Sequence, residues 1–498
     1  MRKTITPSEM KRVETQAMRA GRVTGDALMQ RAAWHVARAV GRGPALCVCG
    51  TGNNGGDGLA AMRLLAQQDP AFWGECWLLP GALSADAARE LERLRTYAPR
   101  VKVRRLEADE PPFPDGTRVA VDAMFGTGLS RPLEGLAREL CVRLNQSGLR
   151  VVAVDIPSGL CGETGRVLGA AVRADETVTF HRPKPGLYLG DGPDMAGRIT
   201  VGEIGLPADL DDADGFALLE ESDLRALLPP RRRVTHKGSY GRVLLWAGSP
   251  GMAGAAALCA TAALRSGAGL VTVACPQRVM DTVQTLCPCA TCVPLQEDPG
   301  QAWAQMEAAL ERADALAAGC GLGTSPWAEA LMERLMERLS ACDLPAVLDA
   351  DALNLLSRRG QAQGNLYLTP HPAEAARLLG GTVGEIAAQP VEAARALSAR
   401  YGAAVALKGA VSVLCAQNRV ALSPFGTPAM AKGGSGDVLT GVVAALLANR
   451  AAGALDLEPL CLLQAACALH GLAGERAALR TGERGLLATD LCQELGKI

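Results

Sequence analysis

The sequence predicts an α/β fold with parallel sheets, divided between two domains. The chain has 498 residues, more than one ordinary hydrophobic core accommodates. Short apolar runs alternate with segments of helical period, which is typical of parallel strands joined by right-handed helical crossovers. Two glycine-rich loops, at residues 49–58 and 431–437, each run into an aspartate where a helix is expected to begin.

The first half of the chain alternates strand and helix. Ligands of parallel sheets bind at the carboxyl ends of the strands. Asn53, Asp122 and Asp155 all fall at such ends, so we expect them to lie in one site. Strands are predicted at 46–48, 75–79, 119–122 and 151–155, and helices at 59–66, 85–97 and 136–145.

A domain boundary is predicted after the first half. Residues 207–215 are acidic and lack periodicity, and residues 228–233 combine two prolines with three arginines. We interpret these two stretches as bracketing a linker, with the arginines solvated rather than serving as a nucleic-acid arm. The predicted domains are therefore residues 1–215 and 220–498.

The second half alternates again, without an internal repeat of the first. Strands are predicted at 242–247, 270–274, 346–349 and 405–408, and helices at 254–266, 436–447 and 471–479.

Composition narrows the classes of partner. The net charge is −1 and aromatic residues make up 3%, which disfavours nucleic acid and anionic membranes. No apolar stretch typical of a secretory signal follows the N-terminus, and no run approaches the roughly 20 residues that span a bilayer. The 16 cysteines are scattered, as expected for free thiols in a reducing compartment. We therefore expect a cytoplasmic homo-oligomer with no nucleic-acid or membrane partner.

The glycine loops indicate phosphate-bearing ligands. Backbone N–H groups at a helix N-terminus favour anions, and glycine permits close approach of the backbone to a phosphate. Two such loops in two different contexts predict two ligand sites, and so an enzyme with two active sites.

Three ordered motifs mark the first half: the loop core Asn53-Asn54-Gly55-Gly56-Asp57, residues 121–132 and residues 154–160. Together they resemble the NAD(P)H-hydrate epimerase family over roughly residues 3–215. The resemblance implies a Rossmann-like parallel-sheet domain. The usual dinucleotide-fold spacing of glycines is absent, so a hydride-transferring dehydrogenase is not predicted.

Site residues of the first domain follow from residue type and from this resemblance. Asn54, Asp122 and Ser158 offer oxygen ligands of low total charge, suited to a hard, weakly charged cation, and the resemblance implies potassium (K⁺). Asp155 is the candidate acid–base catalyst. The alternative is that Asp122 and Asp155 only cap helices or form turns. The substrate-binding residues are expected to be Asn53, Asn54, Gly55, Gly56, Asp57, Gly126, Thr127, Gly128, Leu129, Ser130, Arg131, Pro132 and Asp155.

Five segments mark the second half, at residues 236–243, 248–255, 348–354, 368–374 and 432–440. They resemble the ADP-dependent NAD(P)H-hydrate dehydratase family, a branch of the ribokinase-like α/β fold, over roughly residues 220–498. The chain departs from that family at Thr427 and Ala429, where asparagine and glycine are usual.

The residues of the second loop suit phosphoryl transfer. Gly433, Gly434 and Gly436 form a backbone anion hole, and Asp437 is placed to take a proton from an attacking hydroxyl. The resemblance implies that this hydroxyl belongs to the hydrated nicotinamide ring, with ADP as co-substrate and Mg²⁺ held partly through Glu374. It implies nucleotide binding by Lys408, Gly409, Ala410, Val411, Ser412 and Gly436, and hydrate binding by Ala253, Gly323, His371 and Asp437.

The favoured interpretation is a bifunctional repair enzyme. One domain interconverts the R and S epimers of hydrated NADH and NADPH (NADHX and NADPHX), and the other dehydrates the S form with ADP. Two alternatives stay open on the residues alone: a ribokinase-type small-molecule kinase with an accessory domain, and a nucleotide-sensing or partner-binding scaffold.

Overall fold

Strands and helices alternate through both halves of the computed structural model, which describes residues 1–107 and 111–498. The described residues divide into two units, residues 2–216 and residues 217–498, the latter together with Met1. Each unit contains its own sheet, in which parallel pairs predominate. The predicted α/β class is confirmed.

The first unit has seven strands in the order β4-β3-β2-β5-β6-β7-β8, all parallel. These strands are β2 (Ala45–Cys49), β3 (Gly74–Leu78), β4 (Lys102–Arg105), β5 (Val119–Ala123), β6 (Arg150–Val154), β7 (Glu176–Phe180) and β8 (Arg198–Gly202). A two-residue strand, β1 (Arg2–Lys3), precedes them in the chain and is not part of this sheet. Its helices are α1 (Pro7–Arg19), α2 (Gly25–Val40), α3 (Asn53–Gln68), α4 (Ala85–Tyr97), α5 (Gly135–Gln146) and α6 (Gly192–Met195).

Helices cover both faces of this sheet, because successive residues of a strand point to opposite sides. In β2, Cys47 and Cys49 enter a core shared with α2, α3 and α4, whereas Leu46 and Val48 enter a core shared with α5. The continuous apolar run of β2 is therefore explained by burial on both faces.

Helix α3 begins six residues earlier than the sequence predicts. Asn53 is its first residue and Gly52 its N-cap, so the predicted loop residues up to Asp57 form its first turn. The glycines allow this, because a Cβ on Gly55 would lie 2.0 Å from the carbonyl oxygen of Gly50. The apolar pattern used to predict the helix starts only where side chains meet the core.

The second unit begins with a strand, β9 (Ala217–Leu218), and α7 (Glu221–Leu227). Its other strands are β10 (Arg242–Trp246), β11 (Leu270–Pro276), β12 (Thr291–Leu295), β13 (Ala315–Ala318), β14 (Ala346–Leu348), β15 (Leu366–Leu368), β16 (Ala404–Leu407), β17 (Ser412–Ala416) and β18 (Arg419–Ser423). Its other helices are α8 (Ala253–Arg265), α9 (Gln277–Leu286), α10 (Pro299–Leu310), α11 (Pro326–Ser340), α12 (Ala350–Arg359), α13 (Pro372–Leu379), α14 (Val383–Ala388), α15 (Pro390–Tyr401), α16 (Ser435–Ala451), α17 (Pro459–Thr481) and α18 (Ala488–Leu495).

The strands of this unit run in the order β9-β18-β17-β16-β15-β14-β13-β10-β11-β12. Those from β16 to β12 are parallel, and β17 is antiparallel to both of its neighbours. Helix α16 packs against α8, and every residue from 438 to 449 is buried. Its apolar character on all sides is that of a central helix within a core.

The predicted linker is not a free connection. Its acidic first part is held by arginines of the first unit: Arg22 contacts Asp209 at 3.1 Å, and Arg182 contacts Asp211 at 2.6 Å. Beyond residue 217 the chain joins the second sheet, where β9 pairs with β18. Acidity without periodicity predicted a linker, but these carboxylates pair with arginines distant in the sequence.

No helix in the described part of the chain is both long enough and apolar enough to cross a bilayer.

Candidate active sites

A cleft of about 780 Å³ lies at the carboxyl ends of β2, β5 and β6 in the first unit. Most of the predicted substrate-binding residues line it: Asn53, Asn54, Asp57, residues 126–131 and Asp155. Gly55 and Gly56 are buried in α3, and the exposed Pro132 lies outside the lining. The structure therefore brings together the three motifs that the sequence places far apart.

The two glycine loops of this cleft touch each other. A Cβ on Gly126 would lie 3.0 Å from Oδ1 of Asn54, so glycine is needed for the loops to approach this closely. Residues 126–128 and the first turn of α3 thus form two walls of backbone around the same space. Such walls suit a pyrophosphate.

Asp122 and Ser158 form a buried pair beneath these loops, and both side chains are fully buried. The hydroxyl of Ser158 donates to Asp122 Oδ1 at 2.6 Å, and its backbone N–H donates to Oδ2 at 2.7 Å. Burial raises the pKa of Asp122 to about 6, although hydrogen bonds from Ser158 and Met124 lower it. Among the described residues no cationic side chain pairs with this carboxylate.

The three predicted cation ligands thus offer a site rich in oxygen. The amide nitrogen of Asn54 is buried and has no hydrogen-bond partner in the described part of the chain. No hydrogen bond from this nitrogen therefore prevents the amide from turning its Oδ1 toward a cation. The backbone N–H of Phe125 donates to Ser158 Oγ at 2.9 Å and fixes this hydroxyl beside Asp122. Carboxylate, hydroxyl and amide oxygens suit a hard cation of low charge.

Asp155 is held in a strained position by a lysine that the sequence analysis missed. Its φ of 64° lies in the left-handed region, which is unusual for a residue other than glycine. The ammonium group of the fully buried Lys184 donates to Asp155 Oδ1 at 2.6 Å, and Thr179 donates to the same oxygen at 3.1 Å. Lys184 also contacts the carbonyl oxygen of Phe180. The signal available in the sequence was a lysine between two prolines directly after an apolar strand.

Two further carboxyl groups, Glu14 and Asp57, line the same cleft. Burial raises the pKa of Glu14, and the charge of Asp155 raises it further. Burial also raises the pKa of Asp57 well above its usual range, with contributions from Asp155 and Glu14. The cleft therefore places one carboxylate paired with lysine beside two carboxyl groups whose pKa values are raised.

The second site gathers the carboxyl ends of four neighbouring parallel strands. Cys320, Asp349, His371 and Lys408 follow β13, β14, β15 and β16 respectively, and the first turn of α16 faces them. A Cβ on Gly436 would lie 3.4 Å from Lys408 Nζ and 3.5 Å from Asp349 Oδ2. The glycine loop therefore sits directly over these strand ends, as the fold class predicts.

Asp349 anchors this site. Its side chain accepts a hydrogen bond from Lys408 Nζ at 2.8 Å and one from Thr440 Oγ1 at 2.7 Å, and it is almost fully buried. Burial lowers the pKa of Lys408, but the negative charges of Asp349 and Glu374 raise it by more, so the pKa of this lysine is raised overall. The sequence analysis noted Asp349 only as part of a motif.

Asp437 occupies the first turn of α16, directly after the glycines. Gly434 is the N-cap, with φ of 94°, so the expected helix start is confirmed. Burial raises the pKa of Asp437 to about 6, a hydrogen bond from the Cys320 thiol lowers it, and the charge of Asp349 raises it. This carboxyl group forms no ion pair in the described residues and can exchange a proton near neutral pH.

His371 and Glu374 cap α13 reciprocally. The backbone N–H of His371 donates to Glu374 Oε2 at 2.8 Å, and His371 Nδ1 accepts from the backbone N–H of Ala373 at 3.1 Å. Glu374 Oε2 lies 4.0 Å from Lys408 Nζ, which places this histidine beside the second site. Its imidazole is exposed, and its Nε2 lies 3.3 Å from Glu374 Oε1.

The remaining predicted hydrate contacts lie on loops linked to the same strand ends. Ala253 is the first residue of α8. In the loop before it, Ser249 Oγ donates to the carbonyl oxygen of Gly321, in the loop that follows β13, at 2.9 Å. Gly323 has φ of 77°, and its N–H donates to Asp351 Oδ2 at 2.8 Å. Residues 409–411 lie in the turn between β16 and β17, Ser412 begins β17, and the first two turn residues are exposed.

A buried histidine supports the anion loop. His470 Nε2 lies 2.9 Å from the carbonyl oxygen of Ser435, and burial lowers the pKa of this histidine to about 4. The neutral ring therefore donates to the first residue of α16. No role was assigned to His470 from the sequence, because it is far from every motif.

In the comparison with known proteins, each half of the chain matches a family of its own. A family model described as NAD(P)H-hydrate dehydratase matches residues 243–497, and one described as YjeF-related protein N-terminus matches residues 25–186. The chain is 36% identical to the bifunctional NAD(P)H-hydrate repair enzyme of Moorella thermoacetica, over 98% of this chain and 94% of that protein. It is 38% identical to the enzyme of the same name from Coxiella burnetii, over 96% of this chain and 93% of that protein.

A solved structure shows the fold of the second half. A ribokinase-like superfamily protein from Enterococcus faecalis superposes with a TM-score of 0.50 at 24% identity, covering 57% of this chain and 94% of that chain. This likeness concerns fold alone, and it confirms the predicted ribokinase-like domain.

The buried Lys184 should contribute strongly to the stability of the first unit. Lys184→Met leaves the Asp155 carboxylate without its partner, so the free energy of unfolding should fall by about 3 kcal/mol. Arg95→Met, which removes an exposed ion pair with Glu92, should change it by less than about 0.5 kcal/mol. Urea unfolding of the full chain measures both. Equal effects of the two substitutions would contradict a buried, partnered Lys184.

Proposed function

Because the chain belongs to the family of bifunctional NAD(P)H-hydrate repair enzymes, we propose that its two units catalyse successive steps of one repair reaction. The first unit, residues 1–215, epimerises the R and S forms of NADHX and NADPHX. The second, residues 220–498, dehydrates the S form with ADP and gives NAD(P)H, AMP and phosphate. One observation carries this proposal: each unit has its own partly buried carboxyl group beside its own glycine loop.

In the first site, the glycine walls bind the dinucleotide and Asp155 handles protons. The backbone N–H groups around residues 126–128 and at the start of α3 provide donors for the pyrophosphate. Lys184 and Thr179 fix the orientation of the Asp155 carboxylate, so one oxygen is engaged by the protein. The other oxygen is left to accept a proton from the substrate or from water.

The donor set of Asn54, Asp122 and Ser158 fits K⁺. A buried carboxylate with no cationic partner among the described residues is the feature that a cation of low charge would complete. Bound there, K⁺ supplies positive charge beneath the two loops. The protein's own part is to hold residues 126–128 against α3 through Asn54 and Gly126.

In the second site, Asp437 accepts the proton of the ring hydroxyl as that oxygen attacks the terminal phosphate of ADP. The backbone N–H groups following Gly434 stabilise charge on the transferring phosphoryl group. The phosphorylated oxygen then leaves as phosphate, expelled by the lone pair of the ring nitrogen, and the adjacent ring carbon loses a proton to water, which forms the C=C bond of NAD(P)H. Lys408, fixed by Asp349, places a positive charge beside Gly436 for the nucleotide phosphates. His371, Ala253 and Gly323 contact the hydrate.

The carboxylate of Glu374 fits Mg²⁺ as a ligand bound directly or through water, because both oxygens of Asp349 already accept hydrogen bonds from Lys408 and Thr440. In the described residues no three His, Cys, Asp or Glu side chains form a metal site. This agrees with an ion that uses one or two carboxylates together with phosphate oxygens. Bound with ADP, Mg²⁺ neutralises phosphate charge. Cytoplasmic location and homo-oligomeric assembly stay predictions from the sequence.

The two alternative interpretations lose their support. A ribokinase-type kinase with an accessory domain, or a sensing scaffold, gives no reason for matching a bifunctional relative over 98% of the chain. The first unit also retains a lysine-braced aspartate within a large cleft, which a scaffold does not need.

Asp437→Asn should abolish the ADP-dependent step and leave epimer exchange intact. Loss of the proton acceptor should reduce the rate of NAD(P)H formation by roughly 10²–10⁴. In the unsubstituted chain this rate should fall as the pH drops below about 6, because the base must be ionised and its pKa is about 6. Asp281→Asn, on an exposed part of α9, is the control and should be neutral. A near-normal rate for Asp437→Asn would refute the assignment.

K⁺ should stabilise the first unit through Asp122. The folded-state pKa of about 6 exceeds the ordinary value of 3.8, so without K⁺ stability should decline as the pH rises from about 4 through 6. The full shift corresponds to about 3 kcal/mol. Exchanging choline chloride for KCl at pH 7.5 (roughly neutral) should then raise the melting temperature of this unit. Asp122→Ala should remove the response, whereas an unchanged response would exclude these ligands.

A further inference from the structure

Glu14 is the one cleft carboxyl group on the N-terminal helix, and no role has been given to it. It projects from α1 into the cavity that Asp155 and Lys184 also line. It forms no hydrogen bond and no ion pair with any described residue. A glutamate with a purely structural function would be solvated or paired, like Glu9 on the same helix, which caps Thr6. Glu14 is instead half-buried and free to meet a ligand.

The surroundings of Glu14 raise the pKa of its carboxyl group. Burial raises the pKa of Glu14, Asp155 raises it further, and Lys184 lowers it. Other charged groups lie nearby on the cleft wall and on the segment that packs against α1. They are Asp57, Lys11 and Asp86 in the cleft, and Asp209, paired with Arg22, in that segment.

The chemistry of epimerisation requires two proton-transfer groups. The carbon to be inverted bears a hydroxyl and is bonded to the ring nitrogen. When its C–O bond breaks, the oxygen needs a proton, and when water adds to the other face, that water must lose one. A single carboxylate paired with lysine can accept the proton of the attacking water, but it cannot protonate the departing oxygen.

We propose that Glu14 is the general acid of the first site and works with Asp155 as the general base. This assignment rests on the proposed epimerase function. The carboxylic acid of Glu14 protonates the departing hydroxyl, the C–O bond breaks, the nitrogen lone pair forms a C=N bond, and water leaves. A second water attacks the opposite face of that carbon and gives a proton to Asp155, while the C=N electrons return to nitrogen. The net result is inversion of the carbon and transfer of one proton from Glu14 to Asp155, which exchange with solvent restores.

Asp57 fits this role less well. It belongs to the same helical turn as Asn53 and Asn54, where the glycine walls place the phosphates rather than the ring. The pKa of Asp57 is also raised by Glu90, which pairs with Arg63 of α3 and lies outside the cleft lining. Glu14 projects from a different helix, α1, into the cavity that Asp155 and Lys184 line.

The test compares epimer exchange by the full chain, without ADP, for Glu14→Gln, Glu14→Asp and the control Glu9→Gln. Chromatography of the two epimers gives kcat, KM and their pH dependence. Glu14→Gln should lower kcat by roughly 10²–10⁴ with little change in KM, and should abolish the decline of the rate at alkaline pH that marks a general acid. Glu14→Asp should recover part of the rate. Glu9→Gln should match the unsubstituted chain, because glutamine can also cap Thr6.

Other outcomes overturn the assignment in distinguishable ways. A Glu14→Gln rate within about threefold of the original, or a retained alkaline decline, removes Glu14 as the acid while the epimerase function stands. In water enriched in oxygen-18, the inverted product should carry the label, and unlabelled product refutes C–O cleavage. An unsubstituted chain that exchanges no epimers, yet forms NAD(P)H from the S form with ADP, overturns the epimerase function and this assignment with it.

Discussion

Compensation of buried charge at the ends of parallel strands is the constraint on which both sites depend. In each unit a largely buried lysine forms an ion pair with an aspartate. Lys184 Nζ lies 2.6 Å from Asp155 Oδ1, and Lys408 Nζ lies 2.8 Å from Asp349 Oδ1. An unpaired charge at such a position would be costly, so each pair fixes the two strand ends that carry it. Each glycine loop therefore lies over an ion pair that holds the strand ends in place.

The two pairs leave different groups for chemistry. In the first unit the aspartate of the pair itself faces the cleft, so Asp155 is a permanently oriented carboxylate. In the second unit both oxygens of Asp349 accept hydrogen bonds, from Lys408 and Thr440. The neighbouring Asp437 forms no ion pair in the described residues, and its pKa is raised to about 6. The base proposed for water or a ring carbon and the base proposed for the attacking hydroxyl thus come from the same arrangement of strands.

The sequence predicted the fold class and most cleft residues because they rest on local patterns. Apolar runs, glycine loops and acids at strand ends are visible along the chain, and the first cleft does collect Asn53, Asp57 and Asp155. What it missed depends on contacts between distant segments. Lys184 and His470 owe their importance to partners 29 and 35 residues away. The acidic segment at 207–215 was likewise predicted to be part of a linker, because its arginine partners are distant in the sequence.

The central claim is that the two sites act in sequence on one pool of hydrate. It is tested most directly by following the absorbance of the reduced nicotinamide ring after excess ADP is added to an equilibrated mixture of R and S hydrates. The unsubstituted chain should regenerate NAD(P)H from the whole mixture. Asp155→Asn should regenerate only the S fraction at the normal rate and then stall at the slow rate of spontaneous epimerisation. Complete conversion by Asp155→Asn at the unsubstituted rate would contradict the account.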